Sequence, residues 1–454
     1  MAEKLKEKYG LSAALSMVVG IIIGVGIYFR TGDLAVITQG HVKIGLIAWI
    51  VGGLLTLFSA LTIAELSVSV TETGGDISYA EASVGRLYAF VLGWGVVLFC
   101  NPSVVAIFAW VAAQYTCLLF GLNMAVWHLP VALVFMTTAF LMATFKPDLN
   151  GRMQVILTVI KLLPLFLIAV FGIFYNNPDA GLMQPVAAPL DNPLIIVFLS
   201  ALLPIAFAYD SWIMVTTISG EIKNAKRNIP LALTVGISAV IFIYAFVYLG
   251  FINVLPAAEL AVPNAVPFGI AETLFGGVGG KIVVVGIIIS ALGALNGFFL
   301  GYLRKPYSLG IKRLFPFAGR FSEVNEKTNT PIFSSVFSYI LSVVFIFANY
   351  FGHDVSSVSV LLLALGYLPM YVSIIKRRKR GLAPKNGYRV PLFPVIPLIA
   401  ILGWIGVAVG VFFIDRATTM STLIGLAIYC TGLPVYFLLK KRGSLTPPGV
   451  RKWD

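Results

Sequence analysis

The sequence predicts an all-α integral membrane protein of twelve transmembrane helices, built as two five-helix halves and a closing pair. Three observations predict it. Only 11% of the 454 residues are charged and 59% are hydrophobic, whereas a soluble domain is about 25% charged. Twelve apolar runs are bounded by charges or turn residues, and a membrane helix needs about 20 such residues. Runs one and six are interrupted, at matching positions of the two halves.

The runs lie near 11–29, 44–70, 87–120, 129–145, 153–174, 193–219, 230–253, 281–302, 331–350, 357–375, 391–414 and 421–439. They divide the chain into an N-terminal segment 1–10, a first half 11–174, a second half 193–375, helices eleven and twelve at 391–439, and a C-terminal segment 440–454. Run three exceeds one perpendicular crossing, so it tilts or projects, and Pro102 is a site for a kink.

Lys and Arg orient the spans. With the N-terminus cytoplasmic, 27 of the 32 basic residues fall on inner segments. They are Lys4, Lys6, Lys8, Arg86, Lys146, Arg152, Lys223, Lys226 and Arg227, six between Arg304 and Lys327, seven between Lys376 and Arg389, and five from Lys440 onward. The outer segments hold Arg30, Lys43, Lys281 and Arg416, and Lys161 lies inside span five. Both termini are expected in the cytoplasm of a multi-pass protein of the cell (plasma) membrane. The net charge of +13 is then topological, which removes nucleic acid as a partner. No cleavable signal peptide is expected, because the charged MAEKLKEK start is followed by an apolar run that continues past Phe29.

Several features read as structural. The KRRKRG run at 376–381 is a stop-transfer flank, with an anionic-lipid patch as the alternative. Cys100, Cys117 and Cys430 lie in apolar stretches and read as core residues. His41, His128 and His353 have no metal-ligand spacing. Gly276–Lys281 reads as a turn opening span eight, and the Gly293/Gly297 and Gly406/Gly410 pairs as packing contacts.

The interruptions carry the chemistry. Span one reads Gly20-Ile-Ile-Ile-Gly24-Val25-Gly26-Ile27, and span six reads Pro204-Ile-Ala-Phe207-Ala-Tyr209-Asp210-Ser211-Trp212. A helix broken in mid-membrane frees N–H and C=O groups that lipid cannot satisfy, so the break must line a polar cavity or bind something. The new helix N-terminus favours an anion and the new C-terminus a cation. A zwitterionic amino acid offers both on one carbon. Close helix packing is the competing reading of Gly20-x-x-x-Gly24.

Charge is scarce enough for each buried group to be informative. Lys161 within span five is a functional-site candidate by position. Asp210 sits in the break of span six, free to face water, cap a half-helix or pair with a cation. Glu65, near the inner end of span two, reads as an interfacial charge or a link to the inner loops. No HExxH, CxxC, paired carboxylates with a base, or Ser-His pair is present, which argues against an enzyme. Neither a cofactor nor a metal is expected. A channel would want rings of pore-lining groups from symmetry-related copies.

The GIIIGVG of span one, FAYDSW followed by Gly220-Glu221-Ile222-Lys223-Asn224, and the SALGALNG of span eight resemble the amino acid–polyamine–organocation superfamily. Within it the chain is similar to the L-amino acid transporter group, above all to bacterial serine/threonine and alanine-serine-cysteine exchangers. The resemblance spans the whole chain. It implies a LeuT-type 5+5 inverted repeat with broken helices one and six, plus two extra helices, and sodium-independent exchange of amino acids. It implies that the substrate carboxylate meets N–H groups of Gly24, Val25 and Gly26, and its ammonium the carbonyls of Ile22, Phe207 and Asp210. Phe207 and Tyr209 would form gate and pocket wall, and Asn101 would lie near the substrate side chain. Lys161 would replace a sodium ion, tying span one to span eight near Ser290, with Tyr244 as a neighbour.

Two departures stand out. Val25 replaces a usual Ser, which removes a hydrogen bond of roughly 1 kcal/mol and adds bulk. Ser211 replaces a usual Gly, which stiffens the break or supplies a hydroxyl. The outer loop Gly121–His128 lacks the cysteine through which animal relatives join a heavy chain, so no disulfide-linked partner is expected. The function expected is exchange of small to medium neutral L-amino acids by alternating access. The alternative is a proton- or potential-driven transporter of amino acids or polyamines.

Overall fold

The computed structural model describes residues 7–445 except 8, 71–73, 185–188, 262–265, 352–354, 382–383 and 385–386. Lys4, Lys6, Lys8, His353, Lys385, Arg451 and Lys452 lie outside the described residues.

The chain is helical almost throughout. In order come α1 (Leu11–Ile22), α2 (Gly26–Ile37), α3 (Val42–Ser69), α4 (Asp76–Ser83), α5 (Arg86–Gly95), α6 (Asn101–Phe120), α7 (Met124–Phe145) and α8 (Pro147–Ile173). Then follow α9 (Leu194–Ala208), α10 (Met214–Thr217), α11 (Ala225–Val254), α12 (Ala257–Leu260), α13 (Val266–Tyr302), α14 (Arg304–Ile311) and α15 (Ala318–Phe321). The last are α16 (Ile332–Tyr350), α17 (Ser356–Leu365), α18 (Leu368–Lys379), α19 (Val395–Val411) and α20 (Arg416–Lys441). Among the described residues, the only strand-like pairings are the isolated bridges Tyr9–Ile222 and Asn325–Thr330. Ten helical segments among the described residues are long and apolar enough to cross a membrane, and the apolar α9 and α19 are shorter.

Packing separates a centre from a rim. The most apolar stretch of α5–α6 is 89% buried, that of α20 only 17%. The side chains that α20 leaves uncovered are apolar, including Leu423, Ile424 and Phe437, as a lipid-facing helix requires. The broken helices lie toward the centre. The Leu11–Ile37 pair is 72% buried in its most apolar stretch and packs on α8, α9, α11 and α13.

Charge and proline end an apolar run without ending a helix, so several helices outrun their expected bounds. The fourth starts at Met124, where the Asn123 side chain accepts from the Ala125 N–H, so all but Gly121–Asn123 of the expected outer loop is helical. The fifth starts at Pro147, the seventh at Ala225, and the twelfth runs from Arg416 to Lys441. The eighth begins earlier, at Val266, but kinks where Gly276 takes a φ of 70°. Only glycine holds that conformation without strain, so the expected turn is there.

Two further interruptions lie by prolines, the first at the kink site expected near Pro102 and the second in a span expected to be continuous. A π-helical turn, Val96–Cys100, joins α5 to α6 just before Pro102. Proline offers no N–H and crowds the carbonyl four residues back, and a widened turn absorbs both. Span ten, expected to be continuous, breaks at Gly366–Tyr367 between α17 and α18, since Pro369 cannot bond the Leu365 carbonyl. The Tyr88 hydroxyl donates to the carbonyl of Gly366 freed there. Cys430 corrects its assignment to the core. It is exposed, while Cys100 and Cys117 are buried, because α20 turns its apolar side chains to lipid.

Candidate functional site

Span one is broken where its sequence is richest in glycine. Helix α1 stops at Ile22 and α2 starts at Gly26, which strips the last turn of α1 of its helical hydrogen-bond partners. In the membrane those carbonyls need replacements. The Ile23 N–H takes Val19 O at 2.9 Å, and the Gly24 N–H takes Ile22 O at 2.7 Å. The Lys161 ammonium donates to Gly20 O. The Tyr244 hydroxyl lies 2.8 Å from Ile22 O. Ser290 Oγ donates to Gly24 O at 2.9 Å and approaches Ile23 O at 3.3 Å. Three other helices, α8, α11 and α13, thus supply the donors that the break needs.

The second break faces the first. Helix α9 ends at Ala208, and Tyr209–Ile213 turn before the short α10. The Tyr244 hydroxyl, already on Ile22, also lies 3.2 Å from Ala208 O, so one phenol spans both breaks. A methyl group added at Gly26 would stand 2.5 Å from Ala208 Cα. Only glycine lets the two backbones approach this closely. Ser211 holds a φ of 75°, a region that costs non-glycine residues energy, and its hydroxyl donates to Asp210 at 3.2 Å. Asp210 is buried beside a cavity of about 10 Å³ lined by Thr56, Tyr209, Trp212, Tyr367 and Trp404. That is room for about one water.

Aromatic rings wall the crossing. Trp49, Tyr209 and Tyr244 form a triangle with centroids 5.1 to 5.9 Å apart. Phe207 lies 6.4 Å from Phe108. Asn101, at the start of α6, is buried with neither end of its amide hydrogen-bonded, an arrangement that native interiors rarely leave without a reason.

Arg30 was counted only as an outer-side charge. Instead it is buried with its guanidinium 4.4 Å from the Phe207 ring centre and 4.6 Å from that of Phe29. It also bonds Asp33 at 2.8 Å and Ser356 Oγ at 2.7 Å. The signal was present in the sequence: an Arg one turn beyond GVGI with an acid at i+3 is a helical ion pair.

On the other side of the crossing, charges are paired and buried. Glu221 meets Arg304 at 2.6 Å, and Asp76 meets Lys305 at 2.6 Å with both side chains fully enclosed. Tyr9 pairs in β fashion with the segment after α10, donating to Glu221 O at 3.0 Å and accepting from the Lys223 N–H at 2.8 Å. Glu65 links α3 to the end of α18 through Arg378 at 2.6 Å and to the segment beyond it through the Val390 N–H at 2.8 Å.

Ile22, Gly24, Val25, Gly26, Phe207, Tyr209, Asp210, Lys161, Tyr244 and Ser290 therefore gather around the crossing of the two breaks. Lys161 reaches span one, and its ammonium lies 3.5 Å from where a Gly293 side chain would start on span eight. Tyr244 bonds the two breaks rather than Lys161. Val25, buried, supplies no cap to the first N–H groups of α2. These stay at the positive end of a half-helix, while α1 and α9 present their negative ends nearby.

Broken helices at matching positions of two halves are an arrangement found at transporter binding sites. A family model described as amino acid permease matches residues 9–433. The chain belongs to the amino acid permease family. It is 32% identical over 442 residues to the serine/threonine exchanger SteT of Bacillus subtilis, covering 96% of this chain and 98% of that one. It is 28% identical over 449 residues to the large neutral amino acids transporter small subunit 2 of Homo sapiens, covering 96% and 80%. It is 27% identical over 449 residues to the methylthioribose transporter of Bacillus subtilis, covering 94% and 92%. The family is one of membrane transporters within the amino acid–polyamine–organocation superfamily, not of enzymes.

Proposed function

We propose that the protein is a sodium-independent antiporter of small to medium neutral L-amino acids that works by alternating access. Its twelve spans form a LeuT-type 5+5 inverted repeat and a closing pair, with both termini cytoplasmic in the plasma membrane. The observation that carries the reading is the Lys161 ammonium on Gly20 O, at the C-terminal end of the broken α1. A fixed cation there supplies the charge that a coupling ion would otherwise bring, so no sodium is needed.

In this reading the substrate carboxylate takes the N–H groups of Gly24, Val25 and Gly26. The ammonium takes carbonyls of Ile22, Phe207 and Asp210, which requires Tyr244 and the Gly24 N–H to release Ile22 O as substrate enters. Phe207 and Tyr209 close the outer side and the wall, and Asn101 faces the substrate side chain. The bulk of Val25 and the name of the serine/threonine exchanger relative support a small substrate. No covalent heavy chain is expected, because the turn Gly121–Asn123 holds no cysteine.

Counterflow in proteoliposomes tests the proposal. Labelled serine, threonine or alanine should enter only vesicles preloaded with amino acid, equally well in sodium or choline. Uptake into empty vesicles, or uptake driven by a sodium, pH or potential gradient, would replace exchange with coupled transport.

A further inference from the structure

A groove lies away from the crossing, at the end of α20. It has a volume of about 1100 Å³ and is lined by residues of Gly310–Val324 together with Leu439, Arg442 and Ser444. Arg313, Arg320 and Arg442 stand in its lining, and no carboxylate does. All three arginines are exposed. Phe317 marks the mouth with its ring 79% exposed, on a backbone φ of 55° that bulky residues rarely adopt. Leu439 of α20 lines it too, beside Phe315, Pro316 and Phe317. The groove thus joins three guanidinium groups to an apolar lining at the end of a helix whose outer side chains face lipid.

We infer that this groove binds an anionic phospholipid of the inner leaflet. The phosphate would lie among Arg313, Arg320 and Arg442, whose planar guanidinium groups suit phosphate in bidentate fashion. An acyl chain would run along Phe317 and Leu439. Basic pockets between membrane helices on the cytoplasmic side attract such headgroups, so the inference rests on the orientation proposed above. The groove also touches the transport machinery. One wall is the Gly310–Ile311 end of α14, whose other end carries Arg304 and Lys305 in their buried ion pairs.

Native mass spectrometry of the full chain tests this by binding alone, whether or not the chain exchanges amino acids. After exchange into detergent with equal phosphatidylglycerol and phosphatidylcholine, the protein should retain phosphatidylglycerol at least fivefold more often. Arg313→Gln/Arg320→Gln/Arg442→Gln should lose that preference, and Arg442→Gln alone should weaken it. Size-exclusion elution as a single species establishes that each variant is folded. Equal retention of both lipids by the unaltered chain, or a preference that survives in the folded variants, would overturn the site. Displacement of the lipid by millimolar inorganic phosphate would reduce it to a small-anion site and likewise overturn the inference.

Discussion

The guanidinium of Arg30 covers the face of Phe207, 4.4 Å from its ring centre. Arg30 extends from the second half of broken span one, and Phe207 from the first half of broken span six. Under the proposed alternating access, the contact latches two elements that separate when substrate enters from that side. A desolvated cation–π contact is worth about 1 to 2 kcal/mol. Arg30→Ala should raise labelling of an Asn101→Cys variant by membrane-impermeant thiol reagents roughly fivefold or more. Arg30→Lys should recover part of the protection, lacking the planar stack. Labelling that Arg30→Ala leaves unchanged would show that this contact closes nothing.

Lys161→Ala removes the cation on the Gly20 carbonyl and leaves an unsatisfied buried acceptor, at about 1 to 3 kcal/mol. Exchange should fall at least tenfold while the protein still elutes as a folded species. An unaltered exchange rate would refute the role given to the lysine.

Tyr244→Phe deletes one oxygen and keeps the ring against Trp49 and Tyr209. Because that oxygen serves Ile22 and Ala208 together, its loss uncouples the two breaks. Thermal stability should drop by about 1 to 3 kcal/mol, and exchange should change with it. A variant matching the unaltered protein in both would assign the hydroxyl no part in joining them.

Ser211 allows strain and hydrogen bonding to be told apart. Ser211→Ala loses the bond to Asp210 and keeps the φ of 75°, whereas Ser211→Gly loses the bond and relaxes the backbone. The glycine variant should melt higher than the alanine variant, by about 1 kcal/mol. The reverse order would mean that the break is not strained at this residue.

Arg304 and Glu221 are both buried, so removing one partner strands a charge. Arg304→Met should destabilise by roughly 3 to 5 kcal/mol. Adding Glu221→Gln should restore much of the loss, and raising salt should affect the pair little, since buried pairs are weakly screened. Losses that simply add in the double variant would show that the two side chains act independently.

The sequence announced both central breaks because glycines, and the polar Tyr209-Asp210-Ser211 run, stand out against an apolar background. Lys161 was legible for the same reason. The π-turn before Pro102 and the break at Gly366 were not, since a proline in an apolar run signals trouble for the helix without saying how it is resolved. Arg30 was hidden by its position near a span's end, where basic residues usually mean only topology. Pairs such as Asp76–Lys305 join residues more than 200 positions apart, and periodicity carries no information about such partners.

The pairing of Tyr9 with the Glu221–Lys223 backbone has a practical consequence. A fusion placed ahead of Tyr9 hangs from the segment that follows α10, beside the buried ion pairs, a part that the proposed alternating access would have to move. A fusion after α20 follows a helix that packs on α5 and α17 along one face and is otherwise turned to lipid. Reporters of motion belong at the beginning of the chain, and purification handles at its end.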